Sequence, residues 1–349
     1  MAGRGDTHRL LVVGLGNRGT MWGEVIAAHG RAVMSGAVDP DPERRERFAA
    51  AHPAVPLHPS LEAAFDAGGH DAVVLVTPPD GHLEQARAVF SAGLPLLAEK
   101  PLALDLAEAA EIVRLGEAAG LPLTVGLNFR YLPVTAKKRA LLASGTYGTP
   151  GFGRFVYARN RDGRRPGLNR YPLAMRHPMM LEQTVHHLDL IRHVYAREVV
   201  ALSCRTWNPP WSMYAHDSNV DALLWLEGEM EVNYHGTWTG GSNTIAFEWR
   251  TDLSDGIVVQ RALFADLAAA RPDDAAPTPV PIADARPFLD DTSALLSAFL
   301  DALETGGPAP CDGRDHLATL AVAFAGIEAS GSGRVVHMRD FMAAHGIAP

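Results

Sequence analysis

Over the first 130 residues, short apolar runs alternate with segments of helical periodicity, and this alternation restricts the fold more than any other feature. Arg9–Gly14 (RLLVVG) reads as a strand, Arg18–His29 as a helix, Ala32–Asp39 as a strand and Pro42–His52 as a charged helix with Pro at its start. Ser60–Ala67 is a short helix opened by a Ser cap, and Asp71–Thr77 is too apolar to be half exposed, as in a strand buried on both faces. Gly81–Ala92 is a helix, Pro95–Glu99 a strand, Asp105–Ala119 a helix closed by Gly120, and Leu123–Asn128 a strand. Such alternation builds a parallel, doubly wound sheet with helices on both faces.

After about residue 130 the pattern changes. Val134–Ser144 is helical, and long alternating strands follow: Gly153–Asn160, Val199–Trp207, Asn219–Glu227, Met230–Trp238, Thr244–Arg250 and Gly256–Phe264. One strong helix, Met180–Tyr195, interrupts them, and two more, Thr292–Thr305 and Arg314–Ser330, come after an Ala/Pro/Asp-rich stretch near 268–287 that reads as a surface loop. The expectation is a doubly wound α/β domain over 1–130 and an α+β domain with a large, mostly antiparallel sheet over 131–349. The antiparallel sheet needs one apolar face covered, so self-association through it, as a homodimer or homotetramer, is expected.

Composition removes other classes. The formal charge of −9 argues against general nucleic-acid or membrane-surface binding. No apolar run approaches the ~18 residues that span a bilayer, and Met1–Arg9 carries no hydrophobic signal core. Two cysteines, Cys204 and Cys311, form no disulfide framework, so a cytoplasmic location is expected.

Gly14-Leu15-Gly16-Asn17-Arg18-Gly19 is a GxGxxG between the first strand and the first helix, where the glycines allow a tight turn and close approach of a pyrophosphate. Asp39 ends the second strand at the spacing of an acid that binds ribose hydroxyls, which favours NAD over NADP. Asp39 as a cap of the next helix is the plainer alternative, and Arg44 and Arg45 leave NADP open. Of the 31 Lys and Arg residues only Lys100, Lys137 and Lys138 are Lys. Lys, unlike Arg, loses its proton when its surroundings depress its pKa. Lys100 stands at the carboxyl end of a strand, where ligands of open α/β sheets bind. Lys137 and Lys138 fall on a helix read as a surface element.

These residues carry a resemblance. Val13 to Gly19, Thr77-Pro78-Pro79 with His82, Glu99-Lys100-Pro101, Leu181 to Asp189, Cys311 to Asp315 and Gly333 to Val336 resemble the glucose–fructose oxidoreductase / inositol dehydrogenase / rhizopine-catabolism (Gfo/Idh/MocA) family. The resemblance implies a Rossmann domain and NAD(P)-linked oxidation or reduction at a sugar or cyclitol carbon, with Lys100 and His186 in the family's Lys and His positions. Glu182 stands where the family has Asp. Expected cofactor contacts are Gly14, Gly16, Asn17, Arg18, Gly19, Asp39, Thr77, Pro78, His82, Glu99, Lys100 and Asn128.

On an α-helix, Glu182, His186, Asp189 and His193 fall in one stripe flanked by apolar residues. The stripe reads as catalytic, with His186 as base tuned by Glu182 and Lys100 stabilising the alkoxide. A structural polar stripe and a metal site are the alternatives, though no metal-ligand spacing is present. His187 points elsewhere on the wheel. Between Arg159 and Arg176 lie six Arg against one acid, Asp162. This segment, with Arg159 and Tyr171 as substrate contacts, suits either an anionic substrate or a solvated or subunit-contact loop. Trp207 and Trp211 suit stacking on a sugar or ordinary packing. Two rival functions stay open: glycosidic-bond cleavage through transient oxidation by retained NAD, and a non-catalytic dinucleotide-binding regulator.

Overall fold

The structure, a computed structural model, describes residues 7–165 and 168–347. The first six residues, within the stretch that lacks a signal core, and two residues of the Arg-rich segment lie outside the described residues. The chain forms two compact units, one comprising the chain up to Asn128 with Phe288–Leu317, the other Phe129–Pro287 with the chain from Ala318 onward. Phe288–Leu317, expected in the second domain, therefore belongs to the first. Its helix Asp290–Thr305 buries Leu295, Leu296, Phe299 and Leu300 there.

The first unit holds six strands: β1 (His8–Val13), β2 (Ala32–Val38), β3 (Leu57–His58), β4 (Ala72–Leu75), β5 (Leu96–Ala98) and β6 (Leu123–Val125). All pair in parallel in the order β3-β2-β1-β4-β5-β6. The two-residue β3 was not legible as a strand. Every residue of β4 and β5 is buried, as their unbroken apolar runs require. Strand order reverses between β1 and β4, so the crevice outside their carboxyl ends is the site such a sheet offers a ligand. Local signals start the helices where expected: Asp41 accepts from Glu43 and Arg44 N–H, Ser60 from Ala63 N–H, and Asp105 from Ala107 and Glu108 N–H.

The second unit carries β7 (Pro150–Ala158), β8 (Val199–Trp207), β9 (Asn219–Leu226), β10 (Met230–Thr237), β11 (Ala246–Leu253), β12 (Gly256–Ala262), β13 (Ala265–Ala270), β14 (Thr278–Pro279) and β15 (Val336–His337). They form one sheet ordered β14-β13-β12-β11-β7-β10-β9-β8-β15, antiparallel except between β7 and β10. The stretch expected as a loop is corrected in part. Leu267–Ala270 is buried in β13, and only the residues beyond Ala270 are irregular or edge strand. Its small side chains hid it: alternation of Ala with Ala gives no periodic signal. Among the described residues, no helix is long and apolar enough to cross a membrane.

Lys138 is a second correction. Its helix, Pro133–Ala143, exposes Lys137 but buries Lys138 completely. The Lys138 ammonium position lies 4.0 Å from the centre of the Trp249 ring, and Nζ donates to the Trp249 carbonyl at 2.7 Å. Burial pushes its pKa well below the ordinary lysine value.

Candidate active site

The glycine loop is shaped for a dinucleotide. Gly14 sits at φ +97°, and a Cβ there would stand 2.9 Å from the Val76 carbonyl carbon. A Cβ on Gly19 would overlap the Gly14 carbonyl oxygen, whereas one on Gly16 would meet nothing within 4 Å. Two glycines are thus demanded by packing and one faces open space, the cradle a diphosphate needs. Helix Asn17–Ala28 begins at this loop without a side-chain cap, and the N-terminus of a helix favours an anion. Asp39 is 2% exposed; Oδ2 accepts from Leu15 N–H at 2.8 Å and Oδ1 from Asp41 N–H at 2.9 Å. It braces the loop from the position just after β2, and Arg44 stands 3.6 Å from it.

Arg18 does not end at the loop. Its Nε donates to Glu99 Oε1 at 2.5 Å, and Trp22 Nε1 donates to the same oxygen at 2.8 Å. The residue before Lys100 is therefore clamped to the first helix from two positions. On the other side of Lys100, Leu102 is held by two buried histidines: its carbonyl lies 3.1 Å from His82 Nδ1, and its N–H donates to His316 Nε2. His82 Nε2 reaches the Thr77 carbonyl at 3.0 Å, and burial lowers its pKa. His82 is thus a staple between the Thr77-Pro78 turn and the loop after Lys100, its two ring nitrogens facing protein carbonyls. Thr77 also donates to Gln85. Pro78 and Asn17 are exposed and Lys100 is half-buried. Asn128 is buried and donates to Asp291, whose carboxyl is raised by burial, an effect that Asn128 and Arg18 oppose. Asp291 was not legible as part of this unit because it arrives some 160 residues later in the chain.

In the second unit, the helix expected over Met180–Tyr195 is interrupted by geometry. Met179–Thr184 forms π-type turns, and the α-helix proper is Val185–Tyr195. The wider turn shifts Glu182 off the α-helical stripe drawn through His186 and Asp189. Each member of the stripe has its own setting. Glu182 accepts from the Tyr171 hydroxyl, which commits the tyrosine expected at the substrate. Asp189 forms a buried two-pronged pair with Arg130, with the Arg130 Nε bond at 2.8 Å. The buried His186 ring stacks on Phe129 with centroids 4.4 Å apart. His193 is half-buried. His187 is a core residue: fully buried among Phe155, Tyr157 and Tyr234, its pKa is lowered to about 3 by burial, and Nδ1 meets the Tyr234 hydroxyl at 2.8 Å. Among the described residues no group of three or more His, Cys, Asp or Glu is arranged to hold a metal ion.

Sheet order, glycine loop and a clamped lysine at a strand end define an NAD-linked oxidoreductase of the Rossmann type with a second, large-sheet unit. Residues 8–127 match the family model of the Gfo/Idh/MocA oxidoreductases, NAD-binding Rossmann fold, and residues 135–253 match a C-terminal domain of the same family. The chain belongs to the Gfo/Idh/MocA family. It is 24% identical over 359 aligned positions to the uncharacterised protein y4oX of Sinorhizobium fredii, covering 96% of this chain and 97% of that one. It is 31% identical to the myo-inositol dehydrogenase Hyg17 of Streptomyces leeuwenhoekii over 55% of this chain and 59% of that enzyme. It is 25% identical to a D-apiose dehydrogenase of Rhizobium rhizogenes over 78% of this chain and 81% of that enzyme. An Agrobacterium radiobacter oxidoreductase solved with NAD+, L-tartaric acid and magnesium shares the fold at TM-score 0.86 and 22% identity, over 95% of this chain and 99% of that one.

Proposed function

We propose that the protein is a dehydrogenase that oxidises a secondary alcohol of a sugar, cyclitol or related polyhydroxylated molecule, or reduces the corresponding ketone, with NAD as the preferred cofactor. The observation that carries this reading is the clamp on Glu99 and Leu102, which fixes Lys100 at the carboxyl end of β5 beside the dinucleotide loop. Bound NAD supplies the hydride acceptor. Lys100 orients the substrate hydroxyl and offsets the negative charge that grows on its oxygen as the C–H bond breaks. His186 removes the hydroxyl proton, its ring plane held by stacking on Phe129. Glu182, held by Tyr171, is a positioning group of the same segment. Names of the relatives, inositol and apiose dehydrogenases, support a polyol or sugar as substrate class.

We assign self-association to the face of the nine-stranded sheet opposite helix Val185–Tyr195. Ten of that helix's eleven residues are buried, whereas Phe152 on β7 is 57% exposed. The reaction is tested by following NADH formation with a panel of alditols, cyclitols, aldoses, aldonates and sugar phosphates. Turnover with at least one member of the panel is expected, and its abolition in Lys100→Ala. Tight NAD binding without turnover across the panel favours the regulatory reading instead.

A further inference from the structure

Several buried or half-buried arginines of this chain lie against carboxylates, Arg18 against Glu99, Arg130 against Asp189 and Arg192 against Glu198, and the half-buried Arg45 and Arg197 donate to backbone carbonyls. Arg159 and Arg161 differ. Both are half-buried just past the end of β7, and among the described residues no ion pair joins either to a carboxylate. Arg159 Nε is buried and has no hydrogen-bond partner. Beside them, Trp238 is 2% exposed, and its Nε1 is likewise buried without a partner. The Arg161 guanidinium lies 4.5 Å from the centre of the Trp238 ring, and its Nη1 meets the Tyr214 hydroxyl at 3.3 Å. Arg159, Arg161 and Trp238 all bear on the Tyr157 phenol, which burial pushes up and Arg159 pulls down most strongly. Arg159 and Trp238 both turn donors toward that phenol oxygen, but neither Arg159 Nε nor Trp238 Nε1 meets it with full hydrogen-bond geometry.

The backbone here is fixed. Arg159 N–H donates to the Thr237 carbonyl at 3.1 Å, Arg161 N–H to the Trp238 carbonyl at 2.9 Å, and the Tyr214 hydroxyl to the Arg161 carbonyl at 2.6 Å. Buried donors without acceptors are costly, and a structure that holds two of them beside two uncompensated positive charges is arranged for an anion. The cluster adjoins the His186 helix within the same unit, since the Tyr157 ring packs 4.9 Å from that of His187.

We propose that Arg159, Arg161 and Trp238 form a subsite for an anionic oxygen group on the substrate, so that the molecule oxidised is a sugar acid or sugar phosphate rather than a neutral polyol. This rests on the dehydrogenase reading for the word substrate, though the binding itself is measurable without turnover. Protein saturated with NADH cannot oxidise an alcohol. Isothermal titration of that complex with four- to six-carbon aldonates, with their neutral alditols and with D-glucose 6-phosphate isolates the anion's contribution. One class of anion should bind on the order of 10-fold or more tighter than its alditol, as expected of charge-assisted bonds in a fixed site. Aldonates ahead of the phosphate ester identify a carboxylate, and the reverse order a phosphate.

Arg159→Gln should erase the advantage, and Trp238→Phe, which keeps a ring but loses the donor, should reduce it. Arg339→Gln, a charge-matched change at an exposed position, should leave it intact. The two subsite variants must bind NADH as wild type does to count, and Trp238→Phe carries the test if Arg159→Gln does not fold. Anions that bind no better than alditols, or an advantage that survives in the correctly folded variants, overturn the subsite. NADH formation from neutral polyols with no anion preference removes the subsite and keeps the dehydrogenase. Selective anion binding without NADH formation from any compound does the opposite.

Discussion

Replacing Lys138 by Met should stabilise the protein near neutral pH, and by an amount that shrinks as the pH rises. Lys138 is fully buried, and burial is what lowers its pKa below the usual value. In the unfolded chain the same group titrates near 10.4. Between the folded and unfolded pKa values, the unfolded state holds a proton that the folded state lacks, so wild-type stability rises with pH across that window. The slope is about 1.4 kcal/mol per pH unit for one group. Met has similar length, packs on the Trp249 ring and does not titrate. The stability difference between Lys138→Met and wild type should therefore fall by about that slope through the window and level off above pH ~10.4. Against this gain stands the lost hydrogen bond to the Trp249 carbonyl, about 0.5–1.5 kcal/mol, which sets the offset but not the slope. Denaturant unfolding at pH 7, 8, 9 and 10, read by Trp fluorescence, measures it. A difference that stays constant over that range refutes a neutral buried Lys138. Lys138→Arg, which cannot shed its charge, should be destabilised throughout, so it cannot serve as the innocuous control that a surface position would provide.

Lys100→Arg keeps a charge but replaces a compact ammonium by a bulkier fork, and kcat should drop ~10²-fold or more while NAD affinity, measured by titration, stays near wild type. Exposed Lys137→Arg is its control; full activity in Lys100→Arg would move the chemistry to His186 alone. NAD should bind more tightly than NADP because the Asp39 carboxylate stands just after β2 at the loop; the opposite order in calorimetry would assign the 2′ position to Arg44. Phe152→Asp should shift sedimentation from an oligomer to a monomer, and an unchanged or monomeric wild-type profile would remove the open sheet face from the assembly.

The parallel sheet was readable because its strands are continuous apolar runs separated by capped helices: Asp71–Thr77 needed no context to be placed inside, and β4 is wholly buried. The glycine loop was readable for the same reason, since Gly14 and Gly19 are required by backbone contacts that lie close in sequence or on a neighbouring strand. What escaped was set by long-range contacts or by small side chains. Nothing in Ala265–Ala270 announces a strand. Arg18 fits a phosphate contact in sequence, and only the fold brings Glu99 to it. Glu182 and His186 obey α-helical spacing along the chain, but π-type turns intervene. Trp238 looked like the end of a strand, and its unpaired N–H is visible only once Arg159 and Tyr157 are beside it.

The first unit's division along the chain has a consequence for how the protein is made. The segment ending at Asn128 leaves the ribosome with all six strands of its sheet, yet the helix that receives Arg18, His29 and Asn128, through Thr292, Ser297 and Asp291, has not been synthesised. At usual elongation rates it arrives about 10–30 s later. During that interval helix Asn17–Ala28 exposes the surface against which helix Asp290–Thr305 later packs. A gene truncated after Asn128 would encode the nucleotide loop without its closing layer, and a circular permutant that places Phe288–Leu317 ahead of His8 would make that unit continuous and able to complete itself during translation.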